Sequence, residues 1–342
     1  MSRVSLTSRA VNSCDLALPT LGFGGAPLGG LFSAIDTSEA AKTLSTAISA
    51  GLSYIDTAPF YGFGRSERTV GDIIRKQNCT LSTKVGRLLR PGAPENPSEM
   101  GWPDPLPFHP VFDYSYDGIM RSFEDSQQRL GVDKIDILYV HDIGELTHGS
   151  DNAGHFSDLS GGGYRALDEL RKSDAVKAIG LGVNEIEVCR AALGIGEWDI
   201  FLLAGRYTLL EQTPLDNLIP ECEAADTSLV IGGPFNSGVL VGGDTWNYGS
   251  VPTSVRERVD TLKRVSSEFN VSLPAAALQF PLGHSVVKSV IPGLRSVDEL
   301  NATLGWIQEM IPADYWLALK EQGYLNPDAP LPAQNPYLEA NL

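Results

Sequence analysis

Four side chains have the types needed for a proton relay built on a phenol: Asp56, Tyr61, Lys84 and His141. A free tyrosine titrates near ~10 and is a poor base at neutral pH. A neighbouring ammonium stabilises the phenolate, and each unit by which it lowers that value corresponds to ~1.4 kcal/mol. Lys84 can supply the ammonium. Asp56 can pair with Lys84 and hold it charged and placed, without touching a substrate. His141 can donate or accept a hydrogen bond at a reacting oxygen. Tyr61 is therefore the expected acid/base. The set contains no activated serine or cysteine. Singly, each residue reads as a turn residue, a cap or a strand-end ion pair.

Their positions join them. Asp56 closes the run LSYID (52–56), Lys84 closes TLSTK (80–84) and His141 closes IDILYVH (135–141). Tyr61 follows the first run, in the stretch YIDTAPFYGFGRSE (54–67), whose RSE reads as the start of a helix. Each run is short and apolar, and each precedes a segment with helical periodicity. The same alternation starts with TLGFG (20–24) and a helix over 37–51, with Thr37 as N-cap and Gly51 as stop. It continues through helices over 66–76, 115–131 and 163–173, then AIGLGV (178–183), DIFLLAG (199–205), SLVIGG (228–233) and VVKSVIPG (286–293), each with a helix after it.

Strands joined by helices run parallel. Eight such units in unbroken succession predict an α/β fold, a closed (β/α)8 TIM barrel forming a single domain over 1–342, with strand ends converging on one mouth. A doubly wound open sheet is the runner-up. Two long loops, 86–113 and 142–162, each follow a strand and so belong at the C-terminal face as lids or binding loops. Trp102, Phe108 and His109, with Phe112 and Tyr114 beside them, offer flat faces for a substrate wall, or simply pack the loop down. His148 and His155 continue a seven-residue spacing from His141, as a metal-dependent barrel hydrolase could use. No strand carries an HxH, so the expectation is no metal and histidines facing water on a mobile loop.

The bulk properties exclude other classes. The net charge of −16 repels a phosphate backbone, so nucleic acid is not an expected partner. Neither a basic amphipathic segment nor an apolar run of ~20 residues suggests a membrane. The four cysteines form no CxxC pair, which argues against structural zinc and a disulfide framework. Reduced thiols in a cytoplasmic protein are expected, and the first residues lack the apolar core of a signal peptide. LGFGGAPLGG (21–30) nearly fits a dinucleotide fingerprint, but Pro27, Gly29 and Gly30 prevent a helix from starting there. It reads as a flexible loop whose backbone a ligand can approach.

Taken together, LGFGGAPLGG (21–30), GLSYIDTAPFYGFGRSE (51–67), LSTKVG (81–86), SFEDSQQRLGVDKIDILYVHD (122–142), AIGLGVNE (178–185) and SVIPGLRSVDEL (289–300) resemble the aldo-keto reductase superfamily along nearly the whole chain. The resemblance implies a nicotinamide cofactor and a tetrad of Tyr61, Lys84, His141 and Asp56. It places Gly24, Gly25, Asn184, Gly293, Arg295 and Glu299 around the cofactor. FDYSYDG (112–118), LLAGRYTLLEQ (202–212) and GVNE (182–185) are similar to the sugar dehydrogenase branch, with its D-threo-aldose, L-fucose and L-galactose 1-dehydrogenases and the similar pyridoxal 4-dehydrogenases. The implied reaction is oxidation of a cyclic hemiacetal to a lactone. An aldose is the first substrate class, and pyridoxal giving 4-pyridoxolactone is the alternative.

Three departures from the wider pattern matter. Gly182-Val183-Asn184 stands where many members have a Ser-Asn pair, so only Asn184 carries the carboxamide role. Gly232 stands where many have a stacking tyrosine, which leaves Phe235 as a candidate. Gly293 and Glu299 replace the Lys and Arg that grip a 2′-phosphate. A glutamate repels phosphate and accepts from ribose hydroxyls, so NAD is favoured, with NADP still open because Arg295 could reach a 2′-phosphate. A metal-dependent hydrolase and a non-catalytic cofactor-binding subunit are the rival readings. The partner expected is a small molecule, and no oligomeric state is readable.

Overall fold

A computed structural model describes residues 3–338. Eight parallel strands run in one sheet: β1 (Phe23–Gly24), β2 (Tyr54–Asp56), β3 (Thr80–Val85), β4 (Ile137–His141), β5 (Ala178–Val183), β6 (Ile200–Ala204), β7 (Ser228–Gly232) and β8 (Val287–Ile291). Each pairs with its sequence neighbour, and parallel bridges Leu21–Val290 and Gly24–Gly293 bring the first strand against the last. The sheet is therefore a nearly closed barrel. β4 (ILYVH) and β5 (AIGLGV) are buried at every residue, as strands covered on both faces must be.

The surrounding helices are α1 (Thr37–Ala50), α2 (Arg65–Ile74), α3 (Tyr116–Leu130), α4 (Tyr164–Lys172), α5 (Ile186–Leu193), α6 (Leu218–Ala224), α7 (Thr253–Glu268) and α8 (Val297–Trp306). Asp36, not Thr37, caps α1. Its backbone is extended, and its carboxylate accepts from the N–H groups of Ser38 (2.8 Å) and Glu39 (3.3 Å). Thr37 is already helical. Gly51 stops the helix at φ 113°, as expected.

Side chains two apart on a strand point the same way. Tyr54 and Asp56, Ser82 and Lys84, and Tyr139 and His141 thus form two layers inside the barrel. The lower layer joins Tyr54 to Tyr139 through their hydroxyls (3.1 Å) and packs on Ile137, Ile200 and Val230. An N-terminal hairpin, Ser8–Ala10 with Ala17–Pro19, fills the far end with Val11, Leu16 and Leu18. Arg9 fastens it to the base of β8 by donating to the carbonyls of Leu282, His284 and Val287. Nearby, Leu6 and Leu338 form an antiparallel bridge.

Both long loops are more ordered than their composition suggests. Within 86–113, Arg87–Pro91 and Phe108–Phe112 pair as an antiparallel ribbon. Residues 145–163 are helical almost throughout, ending in a π-turn that runs into α4. Glu185 accepts from the N–H of Leu146 (3.0 Å) at the start of this segment, and Leu159 buries its side chain. Gly154 and Gly161 have nothing within 4 Å of where a Cβ would stand, so glycine is tolerated there rather than required. A second hairpin, Thr245–Trp246 with Gly249–Ser250, turns through Asn247 (φ 45°) and Tyr248 (φ 65°), the left-handed pair of a tight two-residue turn.

Candidate active site

Register brings the strand ends together. Gly24 pairs with Asp56, Lys84 with Tyr139, and His141 with Gly182. The Lys84 ammonium donates to Asp56 Oδ2 (2.7 Å) and to the Thr57 carbonyl (2.9 Å). Ser82 donates to the other carboxylate oxygen of Asp56 (2.7 Å). Gly182 leaves room for the lysine stem, since a Cβ there would lie 3.2 Å from Lys84 Cε. Lys84 Nζ is 4.7 Å from the Tyr61 ring centre, and the Tyr61 and His141 rings meet edge-on at 5.9 Å. Asp56, Lys84 and His141 are at most 4% exposed. The four residues singled out in the sequence thus share one point at the mouth.

The electrostatics differ from expectation in one respect. Burial pushes the Tyr61 phenol well above its usual value, Asp56 and Asp142 push it further, and Arg87 opposes them. Lys84 does not reverse this, because its charge is balanced by Asp56 at 2.7 Å. Tyr61 therefore rests protonated. Burial first, then Arg87 and Lys84, holds His141 well below its usual range, so it is neutral at pH 7. Its Nδ1 is buried without a partner, whereas Nε2 lies 3.5 Å from Asp142 Oδ2. The carboxylate assigns the proton to Nε2, giving a donor at the mouth.

Two clefts meet at Tyr61. The first, of about 500 Å³, is lined by Tyr61, Lys84, His141, Asp142, Trp102 and Asn184 among others. Trp102 packs against Phe60 (5.5 Å) and Tyr61 (5.8 Å) and is among the residues lining this cleft. Phe108 and His109 do not line it. They sit in the ribbon, where His109 Nδ1 bonds the Gly92 carbonyl (2.8 Å). His148 and His155 do not face water on a loose loop. Their rings meet at 4.2 Å, tilted by 47°, and His148 Nε2 donates to the Tyr114 hydroxyl (2.9 Å), which itself donates to the His141 carbonyl (2.8 Å). Burial, then His155, lowers the His148 pKa to about 4.

The second cleft, of about 530 Å³, is lined by Gly24, Gly25, Gly233, Gly293, Arg295 and Glu299 among others. Ser296 caps α8 at its edge, accepting from Glu299 N–H (3.2 Å). Bare glycine backbone and a helix N-terminus suit the phosphates of a dinucleotide, and the cleft leads to Tyr61. Arg295 is engaged: its guanidinium donates to the carbonyls of Leu31 (3.1 Å) and Ser33 (2.7 Å) and to the Ser33 hydroxyl. Its backbone N–H donates to Glu299 (2.8 Å). Asn184 donates to the Ala204 carbonyl (3.0 Å) at the edge of the first cleft. Phe235 lines the second cleft and packs on Trp306 (5.7 Å).

No role in the relay was read from the sequence for Arg87, Asp142, Phe32 or Tyr248. Phe32 and Tyr248, both with left-handed backbones, approach to 6.2 Å and line both clefts. The signal for Asp142 was adjacency to His141. That for Arg87 was its place just after LSTKVG. Nothing local marks Tyr248.

Comparison with known proteins agrees with this geometry. Residues 20–322 match the Aldo/keto reductase family. The chain is 42% identical over 334 residues to a pyridoxal 4-dehydrogenase of Microbacterium luteolum, covering 93% of this chain and 98% of the relative. It is 35% identical over 333 residues to a D-threo-aldose 1-dehydrogenase of a Pseudomonas species, with the same 93% and 98% coverage. The fold is that of an aldo-keto reductase of Bacillus halodurans solved in holo form, at a TM-score of 0.73 and 21% identity over 97% of this chain and 100% of that one. Among the described residues, no helix is long and apolar enough to cross a membrane. The protein is an oxidoreductase that uses NAD(P), and the chain belongs to the aldo/keto reductase family.

Proposed function

We propose that the protein oxidises a cyclic hemiacetal to a lactone, with Tyr61 taking the hydroxyl proton and with NAD preferred to NADP. The observation that carries this is Tyr61 standing between the two clefts with Lys84, Asp56 and His141 around it. When bound, the nicotinamide supplies the hydride acceptor. His141 Nε2–H holds the reacting oxygen, and Tyr61 accepts its proton. Lys84, 4.7 Å from the ring centre, stabilises the phenolate that must form first, and Asp56 keeps Lys84 charged and placed. Trp102, Phe60 and Phe32 keep water from the reacting carbon.

Gly24, Gly25 and Gly293 would line the dinucleotide, and Asn184 would face its carboxamide. NAD is supported by Glu299, a carboxylate at the N-terminus of α8, and by Arg295, whose guanidinium is tied to Leu31 and Ser33 rather than free for a 2′-phosphate. An aldose is the first reading of the substrate. Pyridoxal is the second, supported by the 42% identity to a pyridoxal 4-dehydrogenase and by the aromatic wall. The test is reduced-cofactor absorbance with L-fucose, L-galactose, D-arabinose and pyridoxal, each with NAD and NADP. Turnover of at least one is expected. Turnover of none, with either cofactor, would sink the reading.

A further inference from the structure

The first cleft contains a charged pair, Asp142 and Arg87, to which the proton relay assigns no contact with the substrate. Asp142 follows His141 directly and turns the chain through a left-handed backbone (φ 44°), with its N–H donating to the Gly182 carbonyl (3.0 Å). That conformation is uncommon for a residue other than glycine and aims the side chain back across the mouth. Asp142 Oδ2 accepts from Arg87 at 2.5 Å. Arg87 is only 4% exposed and lies between aromatic faces, 4.0 Å from the Phe60 ring centre and 5.1 Å from that of Phe112. The Asp142 side chain keeps 24% of its surface open, and the opening is into the cleft. Its Oδ1 makes no hydrogen bond within the described chain. A buried pair of this kind is not in itself a source of stability, because desolvation offsets the attraction.

We propose that Asp142, braced by Arg87, accepts a substrate hydroxyl on the carbon next to the reacting one, and so selects hydroxylated hemiacetals. This rests on the hemiacetal reading above. Asp142 Oδ2 lies 3.5 Å from His141 Nε2, so a substrate oxygen held by His141 has Asp142 beside it. Neighbouring oxygens of a vicinal pair are about one hydrogen-bond length apart, so one can meet His141 while the other meets Oδ1. The chemistry is complementary: His141 Nε2–H donates to the reacting oxygen, and a carboxylate can only accept. Of the other carboxylates lining the cleft, Glu99 and Glu185, the latter has Oε1 engaged by the Leu146 N–H (3.0 Å). A carboxylate also discriminates against phosphorylated or carboxylated analogues, which would bring like charge against it.

The test compares kcat/KM for matched pairs: L-fucose against 2-deoxy-L-fucose, and D-arabinose against its 2-deoxy form. The wild type should prefer the hydroxylated member by roughly 10- to 100-fold, the range expected for a hydrogen bond to a charged group. In Asp142→Ala that preference should fall to within about threefold. Because this variant leaves Arg87 buried and unpaired, a second variant, Arg87→Met with Asp142→Ala, removes both charges and should show the same collapse. A merely structural role would lower both members of a pair equally and leave their ratio intact. If the wild type turns over but shows no preference, or if both variants keep it, the hemiacetal reading stands and this inference falls. If the wild type turns over pyridoxal but no member of either pair, this inference falls and the hemiacetal reading stands; if it turns over neither pyridoxal nor any of the sugars, both fall.

Discussion

Ser82 Oγ donates to Asp56 Oδ1 at 2.7 Å, on the carboxylate oxygen that Lys84 does not hold. Asp56 is thereby satisfied on both sides in a site that is 2% exposed. Ser82→Ala leaves one oxygen unpaired and should cost about 1–3 kcal/mol of stability, with turnover lowered because Asp56, the partner of Lys84, is then held on one side only. Asp56→Asn goes further. It leaves a buried ammonium uncompensated and should cost about 3–5 kcal/mol. Thermal unfolding of both variants, together with kcat, checks this. Equal losses for the two would contradict the arrangement.

The raised Tyr61 phenol sets a pH dependence with a definite sign. Tyr61 is protonated at pH 7, and oxidation needs it deprotonated. Oxidative turnover should therefore rise steadily from about pH 7 towards pH 10, while reduction of the corresponding carbonyl, which uses the protonated form, should not gain over that range. Tyr61→Phe should lose about 100-fold or more in kcat and lose the rising limb. A flat oxidative profile in the wild type would contradict the protonated resting state.

Cofactor choice should respond to one charge. Glu299→Lys removes the acceptor of the Arg295 N–H and places a cation at the start of α8. The ratio of NAD to NADP affinity should shift roughly tenfold towards NADP. Direct titration of each dinucleotide, without substrate, reads this independently of turnover.

His148 links pH to stability. Its folded pKa is about 4 against an ordinary 6.5, so the unfolded chain takes up its proton first as the pH falls. Stability from this group is complete above about pH 6.5 and is lost between there and about pH 4. His148→Gln should flatten the dependence of Tm on pH in that window. An unchanged slope would show that the group does not matter to acid sensitivity.

The barrel was legible because its signals are local. Runs such as AIGLGV and ILYVH are apolar throughout, and strand ends mark themselves by a polar residue after such a run. The same logic reached Asp56, Lys84 and His141. It failed where pairing is remote. The ribbon of Arg87–Pro91 with Phe108–Phe112 and the helical course of 145–163 depend on partners such as Phe112, His148 and Glu185 that lie far apart in sequence. Their Gly and Pro content suggested loops. The direction of the Tyr61 shift was likewise unreadable, because the sequence gives the charge of Lys84 but not the depth of burial or how fully Asp56 cancels it. The RSE of YIDTAPFYGFGRSE does start α2, and each residue also holds the site's scaffold. Ser66 donates to the Gly25 carbonyl (2.8 Å), Glu67 accepts from Thr83 (2.7 Å) and Arg129 (2.5 Å), and Arg65 reaches the Asp104 carbonyl (2.6 Å).

The bridge between Leu6 and Leu338 lies beneath the barrel, beside the hairpin that seals it. The two ends of the described chain therefore sit together at the face opposite the mouth. A fluorophore or an electrode linker attached to a residue beside this bridge would sit across the barrel from both clefts and leave traffic to Tyr61 unobstructed. A short linker joining the chain across this bridge, with a new opening cut in an exposed turn remote from both clefts, such as Ser173-Asp174, would rearrange the order of the chain without disturbing any strand of the barrel.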